Sequence, residues 1–236
     1  MAVNVNTVYQ RVLALANKEQ RGYITPQEFN LFANQAQMET FEQYFYDVNQ
    51  YGRGPGNDTE YSDMLDILDE KIALFKKQRV LTTISSSAQL YNIPDKCYRL
   101  GTLSYRGREV TEVDAKELLY ISAAPLAQPS ARRPVFTRYE NQSGTDMIEV
   151  FPKNLPGGTI VATYVKEPEK VYWGYNVIGS NALHDATNTK HFELHRSEEH
   201  SLVDKILAYA GVTLNKPGLV QIGTQLEQNK EQKEKQ

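Results

Sequence analysis

The spacing of apolar residues divides the chain into helical ends and a β-rich middle. Residues 7–18 place Tyr9, Val12, Leu13 and Ala16 on one helical face, and Gln20-Arg21-Gly22-Tyr23 reverses the chain. A long second helix follows from Pro26 to about residue 50. Its apolar positions are Phe29, Phe32, Ala33, Ala36, Phe41, Tyr44, Phe45 and Val48. Its start carries every expected signal: Thr25 as N-cap, Pro26 at the first helical position and Glu28 to complete a capping box. Ile24 and Phe29 form a hydrophobic staple. Interleaved Asn30, Asn34, Gln37, Glu39, Glu42, Gln43 and Asp47 require water or a polar partner. At 1.5 Å per residue the helix spans roughly 37 Å, more than a small core needs, so it is expected to act as a strut for assembly. A loop rich in Gly and Pro ends it, and a third helix is predicted over 60–77, with Tyr61, Met64, Leu65, Leu68, Ile72 and Phe75 in a stripe.

Beyond residue 79 the texture changes. Residues 80–84 are β-prone, 98–113 form a hairpin turning at Arg106-Gly107, and Asp114 with Glu117 caps a short helix over 115–121. A Pro-containing crossover leads to strands at 135–140 and 147–151, joined by a turn at 141–144, and to a third at 159–166. Residues 167–190 have no periodicity but contain the aromatic knot Tyr172, Trp173 and Tyr175. Ser197 is the expected cap of a helix ending at Gly211, with Leu202, Val203, Ile206 and Leu207 inward. Residues 219–226 keep helical spacing before a wholly polar tail. The expected fold is therefore α+β: an N-terminal helical hairpin plus third helix, a central small antiparallel β-domain of sandwich or barrel type, and a C-terminal helix with a polar extension. The expected domains are 1–78, 79–175 and 176–236.

Composition narrows the function classes. Lys and Arg number 26 against 29 Asp and Glu, a net charge of -3, so there is no global electrostatic drive toward nucleic acid or an anionic membrane. One cysteine, Cys97, excludes an internal disulfide framework and suits a reducing compartment. The opening MAVNVNTVYQ lacks the basic and apolar regions of a signal peptide, and no apolar run approaches the ~20 residues needed to span a bilayer. Tyrosine, at 15 copies, is the outlier, and its large contact area with a polar tip suits interfaces.

Candidate chemistry is sparse. Laid on a twelve-residue calcium loop, Asn17 to Glu28 put Gly22 at position 6, Ile24 at 8 and Glu28 at 12. Arg21, however, occupies position 5, where an oxygen ligand belongs, and no second loop exists. A capped helix–turn–helix fits better. His191, His195 and His200 with Glu193, Glu198 and Glu199 match no zinc spacing, and two carboxylates in a first helical turn simply complement its dipole. No nucleophile elbow, phosphate loop or dinucleotide glycine pattern is present, so no enzymatic activity and no cofactor or metal are expected.

Three stretches carry a resemblance: ANKEQRGYITPQEFNLFANQAQMETFEQYF near the start, RRPVFTRYENQSGTDMIEVFPKNLPGGTIVATYVKEPEKVYWGY in the middle, and FELHRSEEHSLVDKILAYAGV toward the end. Together they cover about half the chain and resemble the head-to-tail adaptor or connector ring proteins of tailed bacteriophages, short-tailed and crAss-like phages especially. None is a catalytic fingerprint. The resemblance implies a virion structural protein, assembled in the host cytoplasm. It would form a homo-oligomeric ring of about twelve copies between the portal protein and the next tail protein, and DNA would pass through without specific binding. The runner-up is another tail or receptor-contact virion protein that uses the β-domain as its binding module.

A ring needs two different faces on each subunit. The expected interface residues are Phe41, Tyr44 and Phe45 on the strut, the knot Tyr172, Trp173 and Tyr175, and the tail lysines Lys230 and Lys233. For Trp173, core packing is the equal alternative.

Overall fold

The computed structural model describes residues 2–17, 24–53, 60–85, 88–140, 144–179, 181–213 and 225. The chain folds as two units, a helical unit of residues 1–74 and 168–236 and a β unit of residues 75–167. The boundaries expected at 78/79 and 175/176 thus fall at 74/75 and 167/168, because segments distant in sequence supply the missing core of the N-terminal helices.

The helical unit contains α1 (Val5–Asn17), α2 (Pro26–Arg53), α3 (Glu60–Ala73) and α5 (Glu199–Thr213). The predicted capping box is present: Glu28 Oε2 accepts from the Thr25 amide at 2.9 Å, and Thr25 Oγ1 accepts from the Glu28 amide at 3.3 Å. Ile24 and Phe29, the staple pair, are both buried. Tyr9 of α1 packs edge-on to Phe29 with ring centroids 4.7 Å apart. The α5 stripe Leu202, Val203, Ile206 and Leu207 is buried as its spacing requires. Its entry differs from expectation. A single 3-10 turn, Arg196–Glu198, precedes α5 and its N-cap is His195, which accepts from the Ser197 amide. The helix also continues through the buried Gly211 to Thr213. A buried ion pair, Lys71 Nζ to Glu198 Oε1 at 2.8 Å, ties α3 to this entry.

Helix α3 stops at Ala73, short of the expected residue 77. Lys76–Val80 instead becomes β1, paired antiparallel with β8 (Ile160–Lys166) from Lys76↔Val165 to Val80↔Val161. Sheet pairing here overrides a helical continuation that only Phe75 supported. The remaining strands of the β unit are β2 (Thr82–Ser85), β3 (Leu90–Asn92), β4 (Cys97–Tyr105), β5 (Arg108–Glu112), β6 (Val135–Glu140) and β7 (Asp146–Phe151), with α4 (Ala115–Ala123) between β5 and β6. The sheet order is β1-β8-β4-β5-β6-β7-β3-β2. Its two end strands are consecutive in the chain, separated by Leu81 alone, so one continuous run leaves one end of the sheet and enters the other. That connectivity bends the sheet into a nearly closed barrel, and Leu81 donates its amide to the Ile160 carbonyl at 2.9 Å where the ends meet. The barrel core contains Leu81, Leu103, Val110, Phe136, Ile148 and Ile160.

All pairings in the eight-stranded sheet are antiparallel except β5–β6, which is parallel because the crossover bearing α4 carries the chain back to the same end. The β4–β5 hairpin turns at Arg106-Gly107, both at positive φ (50° and 75°), as a two-residue turn demands. Register shifts between Cys97 and Arg99 and between Leu100 and Leu103 bend β4 along β8. Gly101 lies between them, and a Cβ there would stand 2.7 Å from the Thr163 carbonyl oxygen. Gly101→Ala therefore forces backbone to move and should destabilise the protein by about 1–3 kcal/mol. The check is chemical denaturation followed by circular dichroism.

Candidate interaction surfaces

The polar stripe of α2 finds its partner within the helical unit. Residues 169–173 run extended, and three side-chain amides of α2 satisfy alternate residues of that backbone. Asn30 Oδ1 accepts from the Trp173 amide at 2.7 Å, and Asn34 Oδ1 accepts from the Val171 amide at 2.8 Å. In return Asn34 Nδ2 donates to the Val171 carbonyl at 2.9 Å and Gln37 Nε2 to the Glu169 carbonyl at 2.8 Å. Gln37 Oε1 also accepts from the Glu193 amide at 3.1 Å, and Glu193 Oε2 accepts from the Glu169 amide at 2.9 Å. Four residues of helix advance ~6 Å and two residues of extended chain ~6.7 Å. The Asn30–Asn34 step therefore matches Trp173–Val171. The three-residue step to Gln37 falls short of Glu169, and the extra methylene of glutamine covers the difference.

This ladder decides the fate of the expected interface residues. Phe41 is fully buried and meets Phe45 edge-on at 5.1 Å; Tyr44 is buried with the Lys71 ammonium 5.5 Å from its ring centroid. Phe45 is half-buried. Trp173 is 3% exposed, wedged against Tyr9 at 4.1 Å, and its indole N–H donates to Asn6 Oδ1 at 3.0 Å. For Phe41, Tyr44 and Trp173 the interface expectation is corrected to core packing within one chain. Helix α2 packs on α3 and α5 over the stretch that holds Phe41 and Tyr44, and Trp173 closes over Tyr9 of α1, so all three side chains are enclosed by their own unit. Tyr172 is exposed and Tyr175 half-buried. Lys230, Lys233, the polar tail and, apart from the helical Gln225, the expected 219–226 helix lie outside the described residues, as do 18–23 of the calcium-loop overlay.

Just past the ladder, in a stretch expected to be irregular, the chain forms a two-stranded ribbon of β9 (Tyr175–Ile178) and β10 (Asn181–His184). The signal was a strand-like Tyr-Asn-Val-Ile followed by Gly-Ser, a hairpin turn pair; Gly179 does take positive φ, 66°. Two strands alone are marginal, and here the stem is fixed. Trp173 stacks on Tyr175 at 6.0 Å and tilts against His184 at 5.4 Å, and Asp185 donates its amide to the Gly174 carbonyl at 2.8 Å. The Asp185 carboxylate accepts from the Thr187 amide and the Asn188 side chain, which hold its carboxyl below the usual range. The ribbon's apolar side chains are uncovered: Val177 is 66% exposed, Ile178 65% and Leu183 52%.

A second uncovered surface belongs to the β unit. Helix α4 buries none of its side chains; Leu119 and Tyr120 are exposed, and Leu126 just beyond is 98% exposed. Asp114 occupies the N-cap position without a side-chain capping bond, contrary to the expected Asp-x-x-Glu cap. A nine-residue helix is unstable by itself in water, and one apolar on several sides normally lies under cover. Exposed Arg132 and Arg133 sit in the same crossover. The units also differ in charge. The helical unit holds 13 Lys and Arg against 20 Asp and Glu, net -7; the β unit holds 13 against 9, net +4.

The histidines have separate structural duties. His191 Nδ1 accepts from the Val5 amide at 3.4 Å, His184 contacts Thr189 at 3.0 Å, and His195 caps the 3-10 turn. Among the described residues no group of His, Cys, Asp and Glu is placed to hold a metal, and no helix is long and apolar enough to cross a membrane. Burial pushes the Cys97 thiol up, away from the reactive thiolate. The chain matches no protein-family model and no curated protein.

Two predictions follow from this geometry. Asn34→Ala should cost about 1–3 kcal/mol by stranding the Val171 amide and carbonyl. Asn34→Asp should cost more, since a carboxylate faces the Val171 carbonyl and has no proton to give; urea unfolding of both variants checks the order. The Thr25 amide and hydroxyl hold the Glu28 carboxyl below its ordinary value of 4.5. A lowered folded value contributes stability above 4.5 that is lost as the pH falls through the lowered value. Glu28→Gln should flatten that part of the melting-temperature profile.

Proposed function

We propose that this chain is a non-enzymatic structural subunit of a tailed-phage virion, a connector or adaptor ring protein seated between the portal and the next tail component and forming a conduit for DNA. The observation that carries the reading is that one chain exposes two unlike apolar surfaces, the β9–β10 ribbon on the helical unit and α4 with Leu126 on the β unit. Exposed apolar groups clustered in this way mark interaction sites, and a ring closed by heterologous contacts needs two such faces per subunit. The resemblance carried by the N-terminal, central and C-terminal stretches supplies the setting. The amide flank of the strut contributes as an internal brace that fixes the ribbon's stem.

A second reading has its own support. The most exposed apolar side chain of the described residues, Leu126, stands on the β unit, which fits a tail or receptor-contact protein binding through that unit.

Mass measurement of the purified protein, alone and with a candidate portal, tests the first reading. The expected result is a species at a multiple of 26.9 kDa, either free or assembled on the portal. A 26.9 kDa monomer that ignores every virion partner overturns it.

A further inference from the structure

Resting on the assembly reading above, we propose which surfaces meet: the β9–β10 ribbon of one copy seats on α4 and Leu126 of the next, in a head-to-tail contact between copies of this chain. Each surface is apolar at its centre and neither is covered by its own chain. Ile178 and Leu183 share one face of the ribbon by its register and present a narrow apolar ridge on a stem braced by Trp173, with Val177 on the opposite face. Leu119, Tyr120 and Leu126 offer the apolar ground that a short helix needs to have covered.

Charge selects a second copy as the occupant. The ribbon belongs to a unit of net charge -7, and α4 to a unit of net charge +4. Ribbon-to-ribbon and α4-to-α4 contacts would each bring like-charged units together, whereas ribbon-to-α4 brings opposite ones together. Asp185 at the ribbon's base carries negative charge, and the crossover that bears α4 also carries the exposed Arg132 and Arg133. The two faces are different parts of one sequence, so repetition of the contact yields a closed ring or an open chain of subunits.

Complementation tests the pairing. Ile178→Asp disables the ribbon face and Leu119→Asp the helix face, and both sites are exposed, so both variants should fold with unchanged circular dichroism. Under conditions in which the unaltered protein assembles, alone or on a portal, each variant by itself should lose self-association by about tenfold or more, as for central interface positions. Mixed in equal amounts, the two should form a dimer and nothing larger, since one intact ribbon meets one intact α4. A second measurement fixes the geometry. In a Cys97→Ser background, chains carrying Ile178→Cys mixed with chains carrying Leu119→Cys should form a disulfide-linked dimer, while neither alone does.

If both aspartate variants assemble as the unaltered protein does, or if their mixture yields no dimer, the pairing is overturned while the assembly reading stands. A double-cysteine chain that closes only within itself, migrating as a monomer, likewise overturns the pairing. An unaltered protein that never assembles overturns the reading on which the pairing rests.

Discussion

The helical unit depends on the register between α2 and the extended chain at 169–173. Tyr172 in that segment bridges to the Lys190 backbone, and the amides and carbonyls on the segment's other edge need partners from elsewhere once they are taken out of water. Asn30, Asn34 and Gln37 supply them, and each side-chain amide offers both a donor and an acceptor. A helical repeat of four residues and an extended repeat of two nearly coincide in length. The ladder is therefore specific: slipping the segment by one residue would point each amide at the wrong edge of the backbone. It also sets the position of Trp173, which closes over Tyr9 and stacks on Tyr175, and so fixes the stem from which the β9–β10 ribbon projects.

The β unit obeys a different constraint. Its sheet ends are two halves of one run of chain, so closure is enforced by connectivity as well as by the apolar interior. Near-closure brings the two end strands, β1 and β2, together at Leu81 and shortens the open edge that the sheet presents to other chains. The parallel β5–β6 pairing obliges the chain to make a long crossover, and that crossover is where α4 stands. A helix produced by a topological requirement, with Leu118 and Ile121 only half-buried and Leu119 and Tyr120 exposed, leaves apolar side chains for another molecule. Each unit thus contributes one exposed apolar surface for a separate reason, a braced ribbon in one and a crossover helix in the other.

What the sequence by itself determined was local. The start of α2 was legible because Thr25, Pro26 and Glu28 act within one turn of each other, and capping chemistry needs no distant partner. The Arg106-Gly107 hairpin and the inward stripe of α5 were legible for the same reason: a turn geometry or a helical period is decided by neighbours in sequence. The ribbon at 175–184 carried a readable turn signal, but its short strands had no alternating core face to announce them. Only tertiary structure decided where the amides of α2 and the aromatic residues of the knot would go. A stripe of Asn and Gln on a helix is equally consistent with water, a neighbouring subunit or a returning segment of the same chain, and the choice lies 137 residues away, where Asn34 meets Val171. Phe41, Tyr44 and Trp173 were recognisable as contact-forming residues, but whether the contact was internal or external depended on which chain filled the space beside them. The uncovered faces of Leu119 and Ile178 were likewise invisible in one dimension, since exposure is a property of what fails to pack against a residue after every other segment has found its place.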